Sequence, residues 1–185
     1  SKEQAAYACQ IHKGLPIETR LMDYMSLDGQ FDRIVSVGMF EHVGYKNYRA
    51  FFSKVRSLLA DDGLFLLHTI GGSLSRRSGD PWIEKYIFPN GMLPSPKQVT
   101  RSVERRLVME DWHNFGPDYD RTLMAWYANF EAAWPDLEGR YGERFRRMWR
   151  YYLLSSAAAF RARWIHLWQI VYSPRGVPGG YESIR

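Results

Sequence analysis

The run FDRIVSVGMFEHVG at residues 31–44 constrains this chain more than any other. Phe31, Ile34, Val35 and Val37 give it the β-branched, apolar make-up of a buried strand. Gly38 ends that strand and hands the chain to a loop carrying Glu41 and His42. A second apolar run, residues 64–70, ends near His68 and enters Gly71-Gly72. Between the two, residues 45–60 keep Tyr48, Phe51, Phe52, Val55, Leu58 and Leu59 at helical spacing, and Asp61-Asp62-Gly63 stops them. Strand, helix and strand in succession predict a parallel α/β sheet. Ligands in such sheets sit beyond the carboxyl ends of the strands. Two successive strands therefore deliver ionisable groups to one edge.

The remaining chain fits one domain. Its 185 residues can enclose a full core, and 45% hydrophobic with 24% charged residues is a soluble, globular balance. No run approaches the ~18 apolar residues of a membrane span. No signal-peptide pattern is present. Cys9, the single cysteine, excludes an internal disulfide and fits a reducing compartment. A net charge of +5 favours an anionic partner. Residues 2–12 read as a helix and 17–22 as a short strand. Residues 71–96, with Trp82, Tyr86 and Phe88, lack periodicity and read as a lid or binding loop. A short helix at 96–104, a strand at 107–112, helices at 118–134 and 137–163 and a final, antiparallel strand at 164–172 complete the expected order. The division is one domain over 1–173 and a loose tail over 174–185.

Glu41, His68 and Tyr119 are the candidate catalytic set: the first two follow neighbouring strands and the third opens a later helix. Converging, they would hold a small base by hydrogen bonds from several directions. Each also has a plainer reading, as a cap, a packed core histidine and a packing tyrosine. The five histidines show no ligand spacing and no metal is expected. No nucleophile elbow and no glycine-rich phosphate loop are present. Residues 142–160 form a basic amphipathic helix, with Phe145, Met148, Trp149, Tyr152, Leu153, Ser156 and Phe160 on one face and Arg144, Arg146, Arg147 and Arg150 on the other. That helix suits an anionic membrane surface or, in its plainer reading, a core helix with a solvated outer face.

Five segments taken in order resemble the cyclopropane-fatty-acyl-phospholipid synthases and the mycolic acid cyclopropane synthases. They are FDRIVSVGMFEHVG, LFLLHTIG (64–71), IFPNGMLPS (87–95), MEDWHNFGPDYDRTLMAWY (109–127) and AFRARWIHLWQ (159–169). The resemblance implies a partial class I S-adenosylmethionine-dependent methyltransferase (Rossmann-like) sheet, lacking its first strands and carrying an inserted lid. It implies a transferase of lipid biosynthesis that adds the cofactor's methyl carbon across a cis double bond of a phospholipid acyl chain. The alkene attacks the methyl on the cationic sulfur, a carbocation forms on the chain, and a base removes a proton from the new methyl so that the ring closes.

The same resemblance implies bound bicarbonate as that base, with ligands carried over to Glu41, His68, the backbone of Ile70, and Tyr119. A cysteine-loop ligand of the family has no counterpart here. Cofactor contacts carry over to Gln4, Asp23, Tyr24 and Val37. Trp82, Phe88, Trp112 and Trp126 are candidate ring walls for the cation. Ser156 stands where many relatives have a cysteine, which excludes a thiol nucleophile at that place. The implied partner is unsaturated phospholipid at the membrane surface, not nucleic acid, with a homodimer as candidate assembly. The implied location is cytoplasmic, peripheral on the inner face of the membrane. Because the chain opens on Ser1 inside a helix, it is expected to be a carboxyl-terminal fragment, inactive by itself. The alternatives are a lipid-acyl methyltransferase that closes no ring and a non-catalytic membrane-binding module.

Overall fold

The two apolar runs lie side by side in the computed structural model, which describes residues 1–184. Strand β1 (Phe31–Val37) pairs in parallel with β2 (Leu59–Gly72), setting Val35 against Leu66 and Val37 against His68. Strand β2 begins earlier than its apolar run: the pairing jumps from Leu59 opposite Phe31 to Leu64 opposite Arg33, so Asp61-Asp62-Gly63 is an irregularity inside the strand rather than a turn before it. Strands β3 (Val108–Asn114) and β4 (Ile165–Ser173) complete a sheet of order β1-β2-β4-β3. Strand β4 is antiparallel to both neighbours, so the expected parallel sheet is confined to the first pair.

Along β2, Phe65, Leu67 and Thr69 are buried while Leu66, His68 and Ile70 are half-buried, the period-two signature of a strand with unequal faces. The buried face packs on α3 (Tyr48–Leu58) and α5 (Pro96–Val103) through Phe51, Phe52, Val55, Val99 and Val103. Rings dominate this core: Phe40 stacks on Tyr48 with centroids 4.0 Å apart, and Phe65 on Tyr172 at 5.8 Å. Each such side chain contributes about 1.5–3 kcal/mol by leaving water. The expectation that β1 is buried does not hold. It is the sheet edge, Val35 and Val37 are 61% and 65% exposed, and only Ser36 is buried. The face of Val35 and Leu66 opens on a cavity bordered by Tyr181 and Ile184 of the tail. Residues 17–22 form no strand, having no partner strand; Asp23 instead caps a single 3₁₀ turn at Tyr24–Ser26. The first helix, α1 (Lys2–Ile11), starts with a Ser1–Gln4 capping box and buries no residue.

The second core belongs to α6 (Gly116–Arg161). The expected helix break near Pro135 lies elsewhere: the helix continues through that proline and breaks at Gly142, whose φ of 69° suits a residue without a Cβ. The two halves fold back on each other around Leu123, Phe130, Trp134, Leu153, Ala157 and Phe160. Arg146 meets Glu131 at 3.1 Å, and Arg161 grips Asp120 with two bonds of 3.0 Å near the other end.

The segment between β2 and α5 is closed at its base. The Gly72 N–H donates to the Pro94 carbonyl (2.9 Å), and the Ser75 and Ser95 hydroxyls are 2.7 Å apart. It carries the short helix α4 (Pro81–Tyr86), capped by Asp80. Residues 174–184 form no regular element but are fastened: Glu110 accepts from the Ser173 hydroxyl and from the Val177 N–H.

Gly71 is where strand and lid meet, and it has no room for a side chain. A Cβ there would lie 2.0 Å from a ring carbon of the buried Trp168. Gly71→Ala in the full-length protein is expected to cost about 1–3 kcal/mol, read as a lower urea midpoint at unchanged slope, with partial recovery by Trp168→Phe. An unshifted midpoint would show that the ring moves aside freely.

Candidate active site

The site lies where the two cores meet, beyond the carboxyl ends of β1 and β2. Gly38, at φ 63°, turns the chain out of β1, and its N–H donates to the His68 carbonyl (3.1 Å), keeping the two strand ends together. Directly after it, the four-residue helix α2 (Phe40–Val43) points two side chains inward: Phe40 into the ring core, and Glu41 toward the end of β2.

Glu41 is 9% exposed, and its two oxygens have different fates. Oε1 accepts the Ile70 N–H at 2.8 Å. Oε2 is buried without a hydrogen-bond partner among the described residues. Its main-chain carbonyl accepts the Met92 N–H at 2.9 Å, which fixes the returning arm of the lid. Ile70 thus spends its backbone donor on Glu41, and its carbonyl accepts from the Thr69 hydroxyl (3.1 Å).

Three hydroxyl or imidazole groups feel the Glu41 charge. Burial pushes the Tyr119 phenol up, and Glu41 adds to the effect. Burial lowers His68 below the ordinary histidine value, against the opposing pull of Glu41. Tyr48 is pushed far up by burial and then by Glu41, and its hydroxyl has no hydrogen-bond partner among the described residues. Tyr152, from the returning half of α6, is raised by burial and by the neighbouring Tyr119. These shifts keep the tyrosines protonated donors and His68 neutral at pH 7. A histidine with a lowered folded pKa favours the fold above its unfolded value near 6.5. That contribution is lost as pH falls through the lowered value.

The tautomer of His68 is set from the adjacent strand. Gln169, its register partner on β4, turns its amide NH2 to His68 Nδ1 at 3.2 Å. Nδ1 then accepts, and the ring proton resides on Nε2, free to donate to a ligand. A superficially similar group, Ser73–His166–Asn114, has the opposite consequence for Ser73. The Asn114 Oδ1 accepts the Gly116 N–H (3.0 Å), so its NH2 faces His166 Nδ1 (3.1 Å). His166 Nε2–H therefore donates to Ser73 Oγ (3.0 Å) and cannot deprotonate it.

The candidates are thus distributed unevenly. Glu41, His68, Ile70 and Tyr119 come together. Of the candidate rings, Trp126 lies edge-on to Tyr119 (5.8 Å) and Phe88 to Tyr152 (5.9 Å). Trp112 packs on Trp168 in the other core, and Trp82 packs on Tyr151. Val37 ends β1 and Asp23 caps the 3₁₀ turn through Oδ1. Tyr24 meets Phe51 edge-on (5.7 Å), and Gln4 lies in the exposed cap of α1. His42 is exposed beside Phe88. Sequence reasoning passed over Tyr48, Tyr152 and Gln169. The first two look like ordinary members of apolar helix stripes. Gln169 is identified only once β4 is known to lie against β2. Among the described residues no group of three or more His, Cys, Asp or Glu is arranged to hold a metal.

The sequence profile of the mycolic acid cyclopropane synthetase family matches residues 1–170. The cyclopropane-fatty-acyl-phospholipid synthase of Escherichia coli K12 is 57% identical over 185 residues, which is 100% of this chain and 48% of that enzyme. The chain thus spans about half the length of that relative. The crystal structure of the mycolic acid cyclopropane synthase CmaA1 complexed with SAH and CTAB superposes with a TM-score of 0.82 at 31% identity, covering 93% of this chain and 67% of that one. The cyclopropane synthase MmaA2 of Mycobacterium tuberculosis gives the same TM-score of 0.82 at 27% identity, covering 93% and 67%. Profile, sequence and sheet agree, and the chain belongs to the mycolic acid cyclopropane synthetase family.

Proposed function

We propose that the protein containing this chain transfers a methylene carbon from S-adenosylmethionine to the cis double bond of an unsaturated phospholipid acyl chain. The supporting observation is the divided Glu41 carboxylate, with one oxygen fixed by Ile70 and the other buried without a partner beside His68, Tyr119 and Tyr48.

That arrangement fits bicarbonate. A buried, unpartnered acceptor needs a donor such as a bicarbonate hydroxyl, and His68 Nε2–H and the Tyr119 hydroxyl offer donors to its oxygens. When bound, S-adenosylmethionine supplies a methyl group on a cationic sulfur and bicarbonate supplies a base. Glu41 would orient the base, and His68 and Tyr119 would hold its charge. Trp126 and Phe88 would present ring faces to positive charge on the acyl chain, worth ~0.5–2 kcal/mol each. For the cofactor, Asp23 keeps Oδ2 available as an acceptor for an adenine amino group, and the exposed Val37 offers an apolar contact beside it. These two, with Tyr24 and Gln4, would contribute the adenine side of a cofactor site. No helix among the described residues is long and apolar enough to cross a membrane. The lipid would be met from the surface of the inner leaflet, by a protein in the cytoplasm.

Mass spectrometry of phospholipids incubated with the full-length protein and cofactor tests the reaction. The expected product gains one CH2, loses its double bond and gains no oxygen. A methyl-branched or hydroxylated product would replace ring closure with a simpler transfer. Glu41→Gln keeps an oxygen for Ile70 but aims an NH2 at the base. Turnover is expected to fall by about 10²-fold or more with S-adenosylhomocysteine affinity nearly unchanged, and equal losses would remove Glu41 from the base site.

Gln169→Glu tests the histidine. A carboxylate would accept from Nδ1–H, raise His68 and leave Nε2 bare above the new pKa. A basic limb that the natural protein lacks should then appear in the pH profile of kcat. An unchanged profile would mean that Nε2–H has no part in the reaction.

A further inference from the structure

The arginines of the second half of α6 do not form one charged face. Arg146 and Arg150 turn inward to Glu131, at 3.1 and 3.5 Å, and lie over the rings of Trp134 and Tyr127. Arg144 and Arg147 are exposed and form no ion pair among the described residues. Both border a groove of about 550 Å³ between α4 and this half of α6. One wall is Trp82 and Tyr86, and the other is Tyr141, Met148 and Tyr151. Met148 and Tyr151 recur at helical spacing with Arg144 and Arg147, on a stripe turned away from the core that Leu153, Ala157 and Phe160 fill, and Tyr141 joins them from before the break at Gly142.

The groove is built from rings with polar tips. Trp82 stands edge-on to Tyr151 (4.4 Å), and Tyr86, Tyr141 and Tyr151 are 39%, 41% and 55% exposed. Lys85 lies over Tyr86 and Arg140 over Tyr141, adding two cations at the rim. Glu143 is drawn toward Arg146, and no acidic side chain lines the groove. Tryptophan and tyrosine with an apolar body and a polar edge, flanked by long cationic side chains, match the chemistry of the headgroup layer of a bilayer. Tyr151 faces this groove while Tyr152, the next residue, belongs to the site around Tyr119. One helix wall therefore separates the two.

We propose that this groove docks the headgroup region of an anionic phospholipid bilayer. Arg144 and Arg147 take the lipid phosphates, and Trp82, Tyr141 and Tyr151 lie at headgroup depth. The inference rests on the functional reading above and says where on the molecule the membrane surface is met.

Flotation of the full-length protein with vesicles of phosphatidylglycerol or of phosphatidylcholine tests it. Binding should favour phosphatidylglycerol and weaken with salt. Each of Arg144→Gln and Arg147→Gln should lose about fivefold on phosphatidylglycerol, and the double variant more than tenfold, with an unchanged thermal midpoint. Trp82→Ala should weaken binding to both lipids. Arg101→Gln, on α5 under the other core, removes the same charge and should leave binding intact. The proposal is overturned if the double variant floats like the natural protein. It is overturned equally if Arg101→Gln loses as much, or if the groove variants lose affinity for a DNA duplex but not for vesicles. Groove-dependent flotation with no cyclopropane product would instead refute the reaction and leave the docking surface standing.

Discussion

The Glu41 carboxylate fixes more of this structure than any other group. Removing a carboxylate from water is costly unless donors replace the solvent, and a backbone N–H aimed at the charge is among the better ones. The bond from Ile70 spans 29 residues of sequence and ties the end of β2 to the short helix after β1. The main-chain carbonyl of Glu41 accepts the Met92 N–H, so sheet, short helix and the segment before α5 share one anchor. Only one carboxylate oxygen is compensated within the chain. The fold carries that cost on the ring core directly behind it, where Phe40 and Tyr48 stack with both side chains fully buried.

The second constraint is how α6 folds back. Gly142 permits the reversal, and Glu131 collects two arginines from the returning half, with side chains about a quarter to two-fifths exposed. Such partly exposed pairs contribute little each, on the order of 1 kcal/mol or less. Their greater effect is geometric. With Arg146 and Arg150 held over Trp134 and Tyr127, the helix is rotated so that Tyr152 faces the site and Tyr151 does not. The rotation of one helix thus decides which tyrosine borders Tyr119 and which remains on the outer surface.

Much of this was legible in the residues because local signals and tertiary contacts agree there. The strand at Phe31–Val37, the apolar stripe of α3 and the short helix after Ser95 all appear where their patterns predict. Glu41 and His68 were identifiable because parallel neighbouring strands deliver their ends to one edge. Reading failed where the answer depends on a partner distant in sequence. Residues 17–22 have the composition of a strand but find no strand to pair with, and Val35 and Val37 look like core but lie on the sheet edge. Pro135 is the stronger local breaker, yet the packing of Phe130 and Trp134 carries the helix past it, and the reversal waits for Gly142. Gln169 is invisible to any local rule, because its role arises from the insertion of β4 beside β2.

The electrostatics of the site follow from burial rather than from added charge. Desolvation lowers His68 and raises Tyr119, Tyr152 and Tyr48, so that all four are neutral at pH 7. A neutral donor adds no positive charge to the cavity, whereas an imidazolium or an arginine in the same place would repel any cation that enters it. The basic residues of the chain obey the same logic. Arg146 and Arg150 are committed to Glu131 behind the helix, and Arg144 and Arg147 point away from the site toward the outer groove. A protein with a net charge of +5 can therefore meet anions on its surface while keeping a centre suited to cations.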